Sequence, residues 1–174
     1  LVTNHINGAW ARRLLSYDEQ STISDPELMH RNLSEIRKMN MRKNFSVPVS
    51  KCIYERLQYP SKNGEFEKQF IETADRDAEV ERFCKVVEHK HDFLRLRYMK
   101  SDGIPAFYHP DFLVKIADEI FLVETKATGQ GQHPDVVRKS RSAIAWCEKI
   151  NQFPGSPPSR FRTPPMSASP SIAA

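Results

Sequence analysis

The chain has 174 residues, of which 39% are hydrophobic, 10% aromatic and 28% charged, with a formal net charge of +4. That is enough chain for one domain with a core, and the balance excludes wholesale disorder, a collagen-like repeat and a disulfide scaffold. No run approaches the roughly 18–20 apolar residues of a membrane span, and residues 1–15 lack the apolar stretch of a signal peptide, so a soluble, cytoplasmic protein with no membrane partner is expected. The opening at Leu1, in mid-pattern, reads as a segment of a longer protein. Cys52, Cys84 and Cys147 are an odd count at unpaired spacing and are expected to be reduced, buried and inert.

Charge is unevenly spread. Residues 61–128 hold 11 Lys/Arg against 14 Asp/Glu, whereas residues 1–60 hold 9 against 6 and residues 129–174 hold 6 against 2. An acidic middle lies between basic flanks. Basic flanks attract polyanions, and an acidic centre either repels phosphate or holds a divalent cation that bridges to it.

In chain order, Ile6, Ala9, Trp10, Leu14 and Leu15 recur at helical spacing. A second helix is predicted from Asp25, with Pro26 at its first position, apolar Leu28, Met29, Leu33, Ile36 and Met39, and a basic back of Arg31, Arg37, Lys38, Arg42 and Lys43. Val47 to Tyr59, bounded by Pro48 and Pro60, reads as a connector. Phe66, Phe70, Ile71 and Ala74 predict a helix that begins after Asn63-Gly64, with Glu67 at the edge of its apolar face. Extended runs are predicted at Phe83–Val87, Phe93–Met99, Phe107–Ile116 and Ile120–Lys126, with a turn at Ser101-Asp102-Gly103. Pro134 and Asp135 open a last helix with an apolar stripe of Val136, Val137, Ala143, Ile144, Cys147 and Ile150. Six of the twelve prolines fall from Pro154 onward, so residues 152–174 are expected to be a disordered tail.

The chemistry concentrates in His109-Pro110-Asp111-Phe112-Leu113-Val114-Lys115-Ile116 and Glu119-Ile120-Phe121-Leu122-Val123-Glu124-Thr125-Lys126. With Ala117-Asp118 as a two-residue turn, paired residues sum to 235, so Asp111 faces Glu124 and His109 faces Lys126. Alternation then predicts Asp111, Glu124 and Lys126 on one face of the sheet. Two acids and a lysine at the ends of apolar strands are costly unless they compensate one another or bind a metal. Phosphodiester hydrolysis needs this set: a hard cation on carboxylate oxygens polarises the phosphoryl group, and an ammonium orients the attacking water or offsets developing charge. A salt bridge from Lys126 to either acid is the plain structural alternative. A zinc site from Cys84, His89, His91 and Cys52 matches no familiar ligand spacing.

At these residues the chain resembles the PD-(D/E)xK nuclease superfamily, and more narrowly the carboxy-terminal nuclease domain of the restriction subunit of type III restriction enzymes and related helicase-like proteins. The resemblance spans about residues 45–150. It is carried by Gly64-Glu65-Phe66-Glu67-Lys68-Gln69-Phe70, Tyr108-His109-Pro110-Asp111-Phe112, Leu122-Val123-Glu124-Thr125-Lys126-Ala127 and Ala145-Trp146-Cys147-Glu148-Lys149-Ile150-Asn151. It implies an α/β, restriction-endonuclease-like fold with a mixed central sheet flanked by helices, residues 63–151 forming the nuclease-like domain after a helical segment and connector at 1–62. It implies Asp111 and Glu124 as ligands of Mg²⁺ or Mn²⁺, Lys126 as the catalytic lysine and Glu67 as a supporting acid. Glu65 lies two positions from Glu67, and both suit a solvated helix face equally well. The expected partners are DNA, touched by Arg138, Lys139 and Arg141, an upstream helicase or ATPase region, and a modification subunit. The expectation is thus a Mg²⁺-dependent endonuclease; the alternative is an inactive or truncated nuclease-like module that binds DNA or a partner protein. Two departures stand out. The family's further strand after the second helix falls in the proline-rich tail, and the Gly-x-x-x-x-Gly-Lys-Ser/Thr loop of an ATP-driven motor is absent from the sequence, so ATP dependence is not carried over.

Overall fold

A computed structural model describes residues 36, 39–91, 94–125, 133–152 and 159–164. The first predicted helix, most of the second and Lys126 lie outside the described residues. Residues 39–42 are not helical, and Lys43–Phe45 form a single 3₁₀ turn.

The apolar spacing read from Phe66 to Ala74 produces helix α1, Glu65–Arg76, which buries Phe70, Ile71 and Ala74. Gly64 precedes it because a Cβ there would lie 2.0 Å from the carbonyl oxygen of Pro60. Before α1, in place of the expected connector, Ser46–Pro48 (β1) and Arg56–Gln58 (β2) pair antiparallel with Ser46 opposite Gln58. Three-residue strands flanked by proline carry too little alternation to register as strands. They are held from outside: the Asp75 carboxylate of α1 accepts from the backbone N–H groups of Ser50 and Lys51 at 2.8 and 3.0 Å. Leu57 and Tyr54 then fill the same core as α1.

The central sheet has four strands, in the order Val80–Lys85 (β3), Phe112–Ile116 (β6), Glu119–Val123 (β7) and Arg160–Arg162 (β8). β3 (Val80–Lys85) pairs antiparallel with β6 (Phe112–Ile116), with a register shift between Val80 and Arg82. β6 pairs antiparallel with β7 (Glu119–Val123) through Phe112–Val123, Leu113–Leu122, Val114–Phe121, Lys115–Ile120 and Ile116–Glu119. This is the register the two-residue turn dictates, and Ala117 takes a positive φ of 47° to make that turn. The predicted run Phe107–Ile116 is two strands, because His109-Pro110-Asp111 interrupts it: Pro105–Tyr108 (β5) leaves the central sheet and forms a separate hairpin with Leu96–Met99 (β4).

Helix α2, Pro134–Asn151, follows the predicted stripe through buried Ala143, Cys147 and Ile150, although Ile144 is exposed. Of the tail beyond it, residues 159–164 are described and contain a strand. Arg160–Arg162 (β8) pairs parallel with β7, Glu119 opposite Arg160 and Phe121 opposite Arg162. The expectation that no strand forms after residue 151 is therefore corrected. The prolines flank this segment without entering it, and Phe161 is the single apolar side chain it buries, edge-on to Trp146 at 5.2 Å.

The sheet thus has a different core on each face. Phe112 and Val114 pack toward α1, with the Phe70 and Phe112 rings 4.5 Å apart, while Leu113, Leu122 and Phe161 pack toward α2 and the β4–β5 hairpin. The architecture is mixed α/β. No helix among the described residues is long and apolar enough to cross a membrane.

Candidate functional site

The two central strands end together beyond the Phe112–Val123 pair, and the next residues outward are Asp111 and Glu124. Asp111 is held from both neighbouring strands: its N–H donates to the carbonyl of Val123 at 2.9 Å, and its carbonyl accepts from the N–H of Val86 at 2.8 Å. Its carboxylate Oδ2 accepts from the backbone N–H of Thr125 at 2.6 Å and from Thr125 Oγ1 at 2.7 Å. Thr125 is the middle residue of the Glu-Thr-Lys sequence. Its hydroxyl is the sequence signal, not read from spacing, that this segment fixes the acid of the facing strand.

Glu124 turns toward α2, where its Oε1 lies 3.8 Å from Lys139 Nζ, each side chain being about one quarter exposed. The sequence groups Lys139 with Arg138 and Arg141 as three expected DNA contacts. Arg138 and Arg141 are exposed, but Lys139 is half-buried, with its ammonium 5.6 Å and 5.2 Å from the ring centroids of Tyr98 and Tyr108. The Tyr108 hydroxyl donates to the carbonyl of Lys139 at 2.9 Å. Burial, reinforced by the negative charge of Glu124, raises the Tyr108 phenol far above its ordinary value, so it remains a neutral donor. Sequence reading treats Lys139 as one of three equivalent helix charges. Only the docking of α2 on the β4–β5 hairpin separates it from the others.

Glu67 extends from α1, on the other side of the sheet from α2, and forms an ion pair with Lys85 of β3. Lys85 lies opposite Phe112 in the ladder, with its ammonium 5.8 Å from that ring. Glu65 is well exposed and pairs with Lys68 on its own helix at 3.7 Å. The two candidates are thereby distinguished: Glu67 belongs to the sheet end that carries Asp111, and Glu65 to the solvated surface. Among the described residues, no three His, Cys, Asp or Glu side chains converge as a metal-holding group. His109 is half-buried between β5 and β6. His91 is buried, its Nδ1 accepting from the Val87 N–H at 2.9 Å, which makes it a turn-stabilising residue.

Asp111 and Glu124 have the donor chemistry of a site for a hard divalent cation. Thr125 engages one oxygen of Asp111, and a carboxylate has further acceptor capacity. Glu124 already has a cation beside it, which an incoming ion would have to displace. No protein-family model, no curated protein and no solved structure matches the chain.

Proposed function

We propose that the chain is a metal-dependent endonuclease domain that hydrolyses DNA phosphodiester bonds, with a restriction-endonuclease-like sheet of the PD-(D/E)xK kind. The observation that carries this reading is the β6–β7 register, which ends two central strands side by side on Asp111 and Glu124. The parallel strand β8 after α2 adds support, since the resemblance calls for a further strand at that point. Asp111 and Glu124 would hold Mg²⁺ or Mn²⁺, which when bound polarises the phosphoryl oxygens and lowers the pKa of a ligated water. Lys126, two residues beyond Glu124, orients the attacking water, and Thr125 keeps the Asp111 carboxylate in place. Glu67 acts from the opposite face by fixing Lys85 beside the start of β6. Arg138 and Arg141 on α2 meet the DNA backbone, while a motor region and a modification subunit would complete a type III restriction assembly.

The test is nicking of supercoiled plasmid. The parent is expected to cut with Mg²⁺ and to stop with EDTA. Asp111→Ala and Lys126→Ala should each lose at least about a hundredfold in rate, as for removal of a group that stabilises the transition state. Variants that cut as well as the parent would overturn the reading.

The pairing of Glu124 with Lys139 and of Glu67 with Lys85 favours a second reading, in which the acids are neutralised permanently and the domain is an inactive module that binds DNA through its basic flanks. That reading predicts salt-sensitive, EDTA-insensitive binding with no cleavage.

A further inference from the structure

Two of the three cysteines, far apart in the sequence, lie together. Cys52 belongs to the loop between β1 and β2, and Cys84 to β3; their side chains are neighbours, and the Cys84 thiol donates to the carbonyl of Lys85 at 3.4 Å. The residues just before them are joined through the backbone, the Phe83 N–H donating to the Lys51 carbonyl at 3.0 Å. That bond holds the two segments side by side, which is the juxtaposition a disulfide between them requires. Both thiols are half-buried at the rim of the core that α1 covers, whereas Cys147 is buried in the other core.

We propose that Cys52 and Cys84 are a redox pair that closes to a disulfide with a low-molecular-weight disulfide as oxidant, fastening the β1–β2 hairpin to the edge strand β3. The thiolate of Cys52 attacks one sulfur of the oxidant, forming a mixed disulfide and releasing one small thiol. The Cys84 sulfur then attacks the Cys52 sulfur, loses its proton to solvent and releases the second small thiol. Two protein thiols and one small disulfide become one protein disulfide and two small thiols.

The assignment of roles follows from the surroundings. The neighbouring Cys84 side chain, helped by hydrogen bonds from the backbone at Tyr54 and Ile53, lowers the Cys52 thiol to about 7 against the opposing effects of burial and the Asp75 carboxylate. Cys84 is raised by the same neighbour and by burial. A thiol poised near neutrality and partly exposed is the competent nucleophile. Burial pushes Cys147 up to about 12, which makes it an internal control.

The experiment treats the folded, reduced full chain with oxidised glutathione and counts thiols after denaturation, with peptide mapping under non-reducing conditions. The count should fall from three to one, with the Cys52 and Cys84 peptides joined and Cys147 unmodified, at a rate independent of protein concentration. Cys147→Ser should go from two thiols to none, and Cys84→Ser should stop at one glutathione adduct on Cys52. Separate adducts on Cys52 and Cys84, linkage of either to Cys147, cross-linked chains, or a parent chain that keeps all its thiols would each overturn the proposal. Cys147→Ser retains both members of the pair, so the test does not depend on the folding of Cys84→Ser.

Discussion

Strand β8 is three residues long and is bonded on both sides by different means. On one side it pairs with β7; on the other, the amide of Asn151 takes the place of a neighbouring strand, accepting from the Phe161 N–H at 2.8 Å and donating to the Phe161 carbonyl at 2.9 Å. Asn151→Ala removes both bonds. At about 0.5–1.5 kcal/mol net for each, and with water able to reach the exposed helix end, the expected loss is about 1–2 kcal/mol. Phe161→Ala removes a ring that is 2% exposed and strips Trp146 of its edge-on partner, so about 3–5 kcal/mol is expected. The double variant should lose less than the sum, because Asn151 has nothing to hold once the strand has undocked. Urea unfolding of the four proteins measures this, with the slope compared to verify that the unfolding transition is the same. A Phe161→Ala loss below about 1 kcal/mol would refute the claim that β8 is docked, since no fully buried aromatic ring is lost that cheaply.

Gly64→Ala should destabilise by about 1–3 kcal/mol in the same assay, because its Cβ meets the backbone oxygen of Pro60 and no side-chain motion relieves the clash; unchanged stability would show that the α1 entry is looser. The Asp135 carboxylate accepts from the Ser101 N–H at 2.7 Å and is held below its ordinary value of 3.8, first by that bond. Its stabilisation is therefore present above that ordinary value and disappears as pH falls through the lowered one. The stability gap between the parent and Asp135→Asn should close in acid, and a gap independent of pH would exclude the bond as its source. Burial raises the Tyr54 phenol from 10.0 to about 12, so the folded chain keeps a proton that the unfolded chain loses, and stability should decline as pH rises through that window. Tyr54→Phe should flatten that decline while losing the hydrogen bond to the Ile36 carbonyl at every pH. Lys139→Met keeps the aliphatic stem against Tyr98 and Tyr108 but leaves Glu124 without that cation. Under the metal reading, Mg²⁺ should then raise the melting temperature of the variant more than that of the parent; an equal or smaller rise favours the inactive module.

What is legible in the sequence is whatever local pattern decides. The β6–β7 register follows from two apolar runs and the two residues between them: with a core on each face, burial alone would not fix it, and the two-residue turn does. Helices α1 and α2 are legible because twelve or more residues sample several turns of one periodicity. β1, β2 and β8 are not, because three residues sample no period at all. Their existence depends on distant groups, Asp75 for the first hairpin and Asn151 with Trp146 for the last strand.

The same division runs through the candidate site. That Asp111 and Glu124 end adjacent strands is a consequence of register and is visible in the sequence. Which group each carboxylate meets is a consequence of how helices dock, and it is not: Thr125 captures Asp111 locally, whereas Lys139 reaches Glu124 only because α2 lies across the β4–β5 hairpin. Charge partners are long-range choices among many residues of the same sign, so spacing alone cannot separate Lys139 from Arg138 or Arg141. The position of Lys139 also sets the physical condition on any metal at this site. A divalent ion must compete with an ammonium already beside Glu124, so its affinity is a difference between two interactions with one carboxylate. Substitution of the ammonium changes that difference without touching either proposed metal ligand.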